Sequence, residues 1–178
     1  MKKTVLSCAK VGLIFAATFF IFHYVIIPVK VDGASMENTL HNESYALINA
    51  IMVKPENIKR FDIVVAESKE LDEKIIKRVI GLPGETIQYK DDVLYVNGEA
   101  IQEDFLDPQF VEQAKKKDNA TLFTVDFQYT VPEGEYFLMG DNRLRSTDSR
   151  VLGPFPLEDI VGMNGIVVYP FDSIQWLY

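Results

Sequence analysis

The sequence predicts a mainly β protein, an antiparallel β-sheet domain preceded by one N-terminal transmembrane helix. Two features support this fold class. An uninterrupted apolar run occupies residues 11–29, and short apolar or alternating segments separated by turn residues follow it along most of the chain. With 178 residues, the chain is long enough for one domain with its own core and a small appendage.

The apolar run at residues 11–29 reads VGLIFAATFFIFHYVIIPV, about the length that a helix needs to cross a lipid bilayer. Three lysines precede it, so the positive-inside rule places residues 1–10 in the cytoplasm and residues 30–178 outside the cell membrane. A cleavable signal peptide is the alternative. A cut after Ala34 would put Asp32 at the third position before it, which is a poor cleavage site, so the sequence favours an uncleaved anchor.

Strands are predicted where short apolar or alternating segments end in turn residues. They are residues 45–52, 62–66, 74–80, 86–89, 93–96, 99–101, 136–139, 160–161 and 166–169. The Gly-Leu-Pro-Gly turn at residues 81–84 ends the third of them, and Asn97-Gly98 favours a tight hairpin turn. Residues 102–130 are charged and weakly periodic, so they are predicted to be a variable insertion with a short helix or a loop.

Charge and cysteine content exclude several kinds of partner. The chain carries a net charge of −8 although its first segment is basic, so the domain beyond the anchor is strongly acidic and nucleic acid is not expected as a partner. The single cysteine, Cys8, rules out an intrachain disulfide and argues against structural zinc. We therefore expect neither a metal nor a cofactor.

Two segments carry residues suited to nucleophilic catalysis. Ser35 is flanked by small residues and lies about six residues beyond the predicted anchor, close to the membrane surface. Lys77 lies in an apolar strand, where desolvation can lower its pKa and make it a general base for a serine hydroxyl. Its neighbour Arg78 cannot lose its charge and needs a carboxylate. The alternative is that Lys77 reaches solvent at a sheet edge.

A third segment, GDNRLRSTDSR at residues 140–150, is dense in polar residues directly after an apolar strand. Asp141 is a candidate partner for Arg78, and Asp148 for Arg150. Ser146 is a candidate to hydrogen-bond the base. The alternative interpretation is a turn-rich loop without chemistry.

Together, these segments resemble the bacterial type I signal peptidases, membrane proteases that use a Ser–Lys dyad. The resemblance runs from the anchor through Ser35-Met36, IKRVIGLPGE and YVNG to GDNRLRSTDSR, which is nearly the whole chain. The short chain with one anchor is similar to the Gram-positive form. The resemblance implies an antiparallel β-sheet catalytic domain that removes signal peptides from exported preproteins, cutting after small-x-small sequences outside the membrane.

The resemblance also implies a role for each site residue. Ser35 would be the nucleophile, its backbone N–H would help form the oxyanion hole, and Lys77 would be the base. The supporting residues would orient the base, form structural ion pairs or pack beneath the site; they are Ser146 for the first role, Arg78 with Asp141 and Asp148 with Arg150 for the second, and Met36 for the third.

The chain departs from the family pattern at four positions. Asn38 stands where the family has Pro and Phe61 where it has Gly, which suggests altered loop geometry. Arg145 stands where the family has Asn, next to Ser146, which bears on substrate range. Glu85 in place of Asp is conservative.

Three other functions compete with a signal peptidase. One is an inactive, membrane-anchored binding module of the same fold, which retention of both Ser35 and Lys77 argues against. Another is a self-cleaving transcriptional regulator, which would need a DNA-binding domain where the anchor lies. The third is a Ser–His hydrolase that uses His41, although no GxSxG elbow surrounds the serine.

Overall fold

The computed structural model describes residues 10–20 and 25–177 of the chain. The described strands, in chain order, are β1 (Ile26–Lys30), β2 (Tyr45–Asn49), β3 (Ile63–Ser68), β4 (Glu73–Gly81), β5 (Thr86–Lys90), β6 (Val93–Val96), β7 (Glu99–Ile101), β8 (Phe127–Thr130), β9 (Glu135–Met139), β10 (Phe155–Pro156), β11 (Ile160–Tyr169) and β12 (Gln175–Leu177). The helices are α1 (residues 10–20), α2 (Pro108–Lys117) and α3 (Ser149–Leu152). The mainly β, antiparallel fold expected from the sequence is confirmed.

The strands form two sheets. The larger has the order β1-β2-β11-β3-β4-β9-β10, with β12 added beside β11, and the smaller has the order β7-β6-β5-β8. β4 leads from the larger sheet through the predicted turn at residues 81–84 into β5 of the smaller sheet. The strand that carries Lys77 therefore also connects the two sheets.

The long strand β11 replaces the two short strands predicted at its position. It pairs with β2, β3 and β12, and register shifts along it let one strand serve three neighbours. Gly165 makes one shift possible, since its φ is +153° and a Cβ there would lie 2.2 Å from the Leu47 carbonyl oxygen. A side chain at this position is excluded, so the interruption in the apolar pattern marks a bulge rather than a strand end.

The proposed insertion is only partly irregular. It contains helix α2, as expected, but its last residues form β8, which pairs antiparallel with β5 along its full length. Phe127 and Tyr129 of β8 pack against the Phe137 ring, with centroids 5.7 and 5.1 Å apart. The packing of these aromatic residues holds residues 127–130 in the smaller sheet, so the last residues of this segment form a strand rather than a loop.

The predicted anchor differs from the structure at its outer end. Ile26–Lys30 form β1, which pairs with β2, so the last residues of the 11–29 run belong to the sheet rather than to a helix. The central part of the run includes residues 21–24, which lie outside the described residues. Within residues 10–20 and 25–177, no helix has both the length and the apolar character to span a membrane.

Candidate active site

Ser35 lies on the loop between β1 and β2, and two buried side chains hold that loop against the core. Met36 and Leu40 are each 1% exposed, and the Leu40 N–H donates to the Met36 carbonyl at 2.7 Å. The Ser35 carbonyl accepts a hydrogen bond from the Asn142 N–H at 3.0 Å. Ser35 is thus fixed through its backbone while its half-buried side chain remains accessible. Met36, which follows Ser35, is buried and also lines the cleft at the site.

Lys77 extends from β4 toward this loop. Its Nζ lies 2.9 Å from Ser35 Oγ and 3.1 Å from the Ile76 carbonyl oxygen, and the residue is 4% exposed. Residues 75–81 of β4 are all buried, so Lys77 does not reach solvent although β4 has a free edge at this point. The two residues selected from the sequence therefore meet across 42 positions of the chain.

Burial lowers the pKa of Lys77 from 10.5 to about 8. The carboxylates of Asp148, Glu73 and Asp141 act in the opposite direction, and Arg150 adds a smaller lowering contribution. Because desolvation is the largest cause, a substantial fraction of Lys77 is neutral at mildly alkaline pH. A neutral amine at hydrogen-bond distance can accept the serine proton.

The Arg78–Asp141 pair lies directly beside the dyad. Arg78 Nε and Nη2 donate to the Asp141 carboxylate at 2.8 and 2.7 Å, while Nη1 donates to the Phe61 carbonyl at 2.7 Å. Both side chains are almost fully buried, at 4% and 0% exposure. Breaking such a pair leaves an uncompensated buried charge, which typically costs about 3–5 kcal/mol. The pair therefore fixes β4 against the polar loop that begins at Gly140.

Asp148 organises the other end of the same loop. Its carboxylate accepts hydrogen bonds from Arg150 Nε and Nη2, both at 2.8 Å, and from the Gly140 N–H at 3.0 Å. It also caps helix α3. Burial acts to raise the pKa of Asp148, but Arg150 and the Gly140 N–H hold it below its usual value. The predicted Asp148–Arg150 ion pair is thus formed, and it closes the polar loop.

Ser146 is partly buried in this loop but does not bond to Lys77. Its Oγ lies close enough to the Asp148 carboxylate to help lower the pKa of that group, although no described residue makes a hydrogen bond to it of good geometry. A Cβ built on Gly140 would lie 2.2 Å from Ser146 Oγ and 2.5 Å from the Ser35 carbonyl oxygen. Only glycine at position 140 lets the two segments approach so closely. The expected Ser146–Lys77 hydrogen bond is therefore absent from this structure, although Ser146 lies next to the nucleophile loop.

Arg143 has a structural role that the sequence analysis missed. Its guanidinium donates to Glu103 Oε1 at 2.6 Å, to the Tyr89 hydroxyl at 2.7 Å and to the Gly140 carbonyl at 2.9 Å. The side chain is fully buried, and burial raises the pKa of Tyr89 well above its usual value. Arg143 thereby ties the smaller sheet to the polar loop. Arg143, like Arg78, cannot lose its charge and needs a carboxylate partner when it is buried. The same argument could therefore have predicted an ion pair for Arg143 from the sequence.

The departures from the family pattern have distinct structural consequences. Asn38 has φ of +92°, which proline cannot adopt, so the geometry of this loop differs from that of a loop with proline at the same position. The Asn38 side chain also donates from Nδ2 to the Phe105 carbonyl at 2.6 Å. Phe61 has φ of +75°, a value that glycine adopts freely, so the backbone here can be the same as that of a family member with glycine at this position. Its ring packs on Phe105, with centroids 5.1 Å apart. Both positions thus contact Phe105, whose ring covers the Arg78 guanidinium at 4.0 Å.

The other two departures form ion pairs. Glu85 pairs with Arg60 and accepts the Leu82 N–H at 2.7 Å, which closes the turn after β4. Arg145 donates to both carboxylate oxygens of Asp118, at 3.1 and 2.7 Å, and so connects the polar loop to the end of α2.

A cleft of about 320 Å³ opens onto the dyad. It is lined by residues 29–36 and 71–77 together with Arg145 and Thr147. Within the described residues, β1 pairs only with β2, and residues 73–77 of β4 pair only with β3. Two strand edges therefore border the cleft with free backbone groups. His41, the alternative base, is exposed and makes no hydrogen bond to Ser35.

A serine within hydrogen-bond distance of a buried lysine, on an antiparallel β domain, defines the class of serine hydrolases that use lysine as the base. The family described as signal peptidase, peptidase S26, matches residues 3–169, and the chain belongs to that family.

Known relatives agree with this assignment over nearly the whole chain. Signal peptidase I from Bacillus amyloliquefaciens is 40% identical over 98% of this chain and 93% of its own length. Signal peptidase I S from Bacillus subtilis is 38% identical over 98% of this chain and 94% of its own length. The crystal structure of a signal peptidase I from Enterococcus faecalis V583 matches 59% of this chain and 94% of its own, with 40% identity and a TM-score of 0.50.

Proposed function

We propose that this chain is a membrane-bound serine endopeptidase that removes N-terminal signal peptides from exported preproteins. The observation that carries the proposal is the 2.9 Å contact between Lys77 Nζ and Ser35 Oγ, made by a lysine that burial keeps partly neutral. The names of the relatives supply the substrate class. Ser35 is the nucleophile in this proposal and Lys77 is the general base and acid.

The substrate binds as an extended segment between the free edges of β1 and β4, which supply backbone hydrogen bonds. Apolar residues of the cleft, Val29, Val31 and Ile76 among them, form shallow pockets that suit alanine at small-x-small positions. Such pockets admit a methyl group and exclude larger side chains. This places the scissile carbonyl over Ser35.

Catalysis then follows from the positions of the two side chains. Lys77 accepts the Ser35 proton while Oγ attacks the carbonyl carbon, and the protonated Lys77 donates to the leaving amine. A water molecule, deprotonated by Lys77, hydrolyses the acyl-enzyme. The Ser35 N–H makes no hydrogen bond to the described residues, so it is available to the oxyanion. Ser146 Oγ accepts no hydrogen bond from the described residues, so it is available to accept one from Lys77 once the amine is protonated.

The charged residues around the dyad support it without touching the substrate. The Arg78–Asp141 pair fixes β4 against the Gly140 loop, and the Asp148–Arg150 pair closes that loop. Each pair contains a fully buried carboxylate near Lys77, and the arginine of the pair balances its negative charge. In the proposal they hold the lysine and serine at reacting distance.

The test of function uses the full-length chain in phospholipid vesicles and a preprotein whose signal peptide ends in Ala-x-Ala. Mass spectrometry should show a single cut after the second alanine. Leucine at that alanine should lower kcat/KM by about 100-fold or more, because the shallow pocket cannot accept it. Leucine at the central x position is the matched control and should be tolerated. Equal cleavage of all three substrates would contradict the pocket arrangement.

The proposal also places the chain in the cell membrane, with residues 1–10 cytoplasmic and the β domain outside. The last quarter of the chain contains aromatic residues that could contact the membrane. Phe155 is buried at 4% exposure, and Tyr178 lies outside the described residues. Phe171 and Trp176 are exposed at 79% and 71%, and Ile174 between them is also exposed. Exposed aromatic residues of this kind favour the membrane interface.

Trp176 is the only tryptophan in the chain and therefore reports on this contact. Its fluorescence should shift to the blue when the chain is reconstituted from detergent into phospholipid vesicles, because the indole enters a less polar environment. Replacing Trp176 by phenylalanine gives the background spectrum. Emission that stays the same in detergent and vesicles, and is quenched equally by acrylamide in both, would exclude Trp176 as a membrane contact.

A further inference from the structure

The charged side chains that line the catalytic cleft are unequally balanced. Apart from Lys77, three cations line it, and each forms an ion pair with a carboxylate that does not line the cleft. These pairs are Lys30–Glu43 at 2.5 Å, Lys74–Glu67 at 3.5 Å and Arg145–Asp118 at 2.7 Å. These three cations are therefore already paired with partners outside the cleft.

Two carboxylates of the cleft, Asp32 and Glu73, have no such partner. Both are exposed, and neither makes an ion pair or a side-chain hydrogen bond with the described residues. Asp32 lies near Lys30, but Glu43 has the larger effect on the pKa of that lysine. Lys74 follows Glu73 directly, and adjacent residues of a strand project to opposite faces. The unpaired charge of the cleft is therefore negative.

The free edge of β4 fixes the direction in which an extended segment leaves the dyad. Within the described residues, 73–77 pair only with β3, whereas pairing with β9 begins at Arg78. A segment that pairs with the free edge therefore runs from Lys77 toward Glu73. Glu73 lies four residues before Lys77, roughly 13 Å along the strand. A paired segment advances by the same rise, so its residue opposite Glu73 is about four residues from the bond at Ser35.

Glu73 is also close enough to the reacting centre to act on it. After Asp148, its carboxylate has the largest electrostatic effect on the pKa of Lys77, and it acts to raise that pKa against the dominant effect of burial. On the other border of the cleft, Asp32 lies two residues beyond the end of β1 and three residues before Ser35. Both borders of the cleft therefore carry a negative charge.

We propose that Glu73 determines substrate specificity by favouring a basic side chain over an acidic one about four residues before the scissile bond. The inference rests on the proposed cleavage of signal peptides and adds a charge preference to the small-x-small pattern. A lysine at that position forms an ion pair with the exposed Glu73 carboxylate. A glutamate there meets a like charge at Glu73 and a second one at Asp32, because the neighbouring cations of the cleft are already paired.

The experiment uses the full-length chain in vesicles of a zwitterionic phospholipid, so that the lipid itself does not select charge. Peptides that share one Ala-x-Ala segment carry Lys, Gln or Glu at the fourth or fifth position before the cut, and a second set carries them just after it. At pH 9, Lys77 is mostly neutral while a peptide lysine stays charged. At low ionic strength, kcat/KM at one position before the cut should be about tenfold higher for Lys than for Glu, with Gln between them.

Two variants at position 73 separate this contact from a general loss of activity, because the ratio between two peptides cancels such a loss. Glu73→Gln should reduce the Lys-to-Glu ratio to about threefold or less, and Glu73→Lys should reverse the preference. Glu99→Gln makes the same change as the first variant at an exposed position of β7 and should leave the ratio at its wild-type value.

A preference that is absent before the cut or present only after it would overturn the role of Glu73 while cleavage itself continued. A ratio that neither Glu73→Gln nor Glu73→Lys changes would do the same. A ratio that Glu99→Gln lowers as much as Glu73→Gln would attribute the preference to net charge and would also overturn it. No cleavage of any peptide would overturn both this inference and the proposed function.

Discussion

Replacing Ser35 by alanine or Lys77 by methionine should lower kcat/KM for a preprotein by about 10⁴-fold or more. Each change removes one member of a pair that acts as a unit, so either loss is nearly as severe as both. Methionine fills the volume of the lysine stem without a basic nitrogen. The double variant should therefore be scarcely worse than either single variant, and that non-additivity distinguishes a dyad from two independent contributors.

Matched control variants show whether the loss of activity comes from removing a catalytic group or from a change in the fold. Ser173→Ala and Lys90→Met make the same chemical changes at partly or fully exposed positions away from the cleft and should retain activity. All variants should keep a cooperative thermal transition. His41→Ala should also remain active, since His41 makes no contact with Ser35. Full activity of Lys77→Met, together with inactivity of His41→Ala, would replace the lysine base by histidine.

Ser35 and Lys77 were candidates from the sequence because each stands out locally, and the resemblance to a known family supplied their roles. Lys77 is a cation inside an apolar strand, and Ser35 has small neighbours next to a predicted anchor. Both features follow from elementary constraints on burial and access. The pairing of Arg78 with Asp141 followed from the same rule, since a buried guanidinium must have a carboxylate and the polar loop offered one.

Contacts that depend on register were not predictable in this way. The Arg143–Glu103 pair joins residues 40 positions apart, and Glu103 lies two residues after the end of β7, whose place in the smaller sheet is set by its pairing with β6. Nothing in the local pattern of residues 102–130 fixes that register. Ser146 illustrates the complementary error. The sequence analysis placed Ser146 in the correct loop, next to the dyad. The group that its hydroxyl contacts depends on shifts of about one ångström, which the sequence cannot specify.

The ends of β1 and β11 show a further limit of periodicity. Ile26–Lys30 is apolar enough to extend a membrane segment, yet its backbone pairs with β2. Apolar composition alone does not distinguish a buried edge strand from the end of an anchor. In β11, an Asn-Gly pair inside a strand resembled a strand boundary, although it marks the bulge that lets β11 change partners.

The pH dependence of cleavage should follow the titration of Lys77. Below a pKa of about 8 the amine is mostly protonated, so kcat/KM should rise about tenfold per pH unit at acid pH, by roughly 50-fold from pH 6 to pH 8, and then level off. The profile of kcat/KM reports groups of the free enzyme, so this limb belongs to Lys77 before substrate binds. A histidine base would instead give a limb near 6.5. A limb near 6.5 that disappeared in His41→Ala would contradict the lysine base.

The same pKa predicts the stability of the inactive Lys77→Met variant, which gives a test independent of turnover. The pKa of Lys77 is about 8 in the folded chain and has its ordinary value of 10.5 in the unfolded chain, so between these values the unfolded state binds more protons. Wild-type stability should therefore rise relative to the variant as pH increases from about 8 to 10.5. Below pH 8 the folded protein must bury an ammonium group, so Lys77→Met should be more stable there, by up to about 3 kcal/mol. Denaturant titrations at pH 7 and pH 10 should show that advantage shrinking. A difference that is independent of pH would mean that Lys77 is neither desolvated nor able to serve as the base.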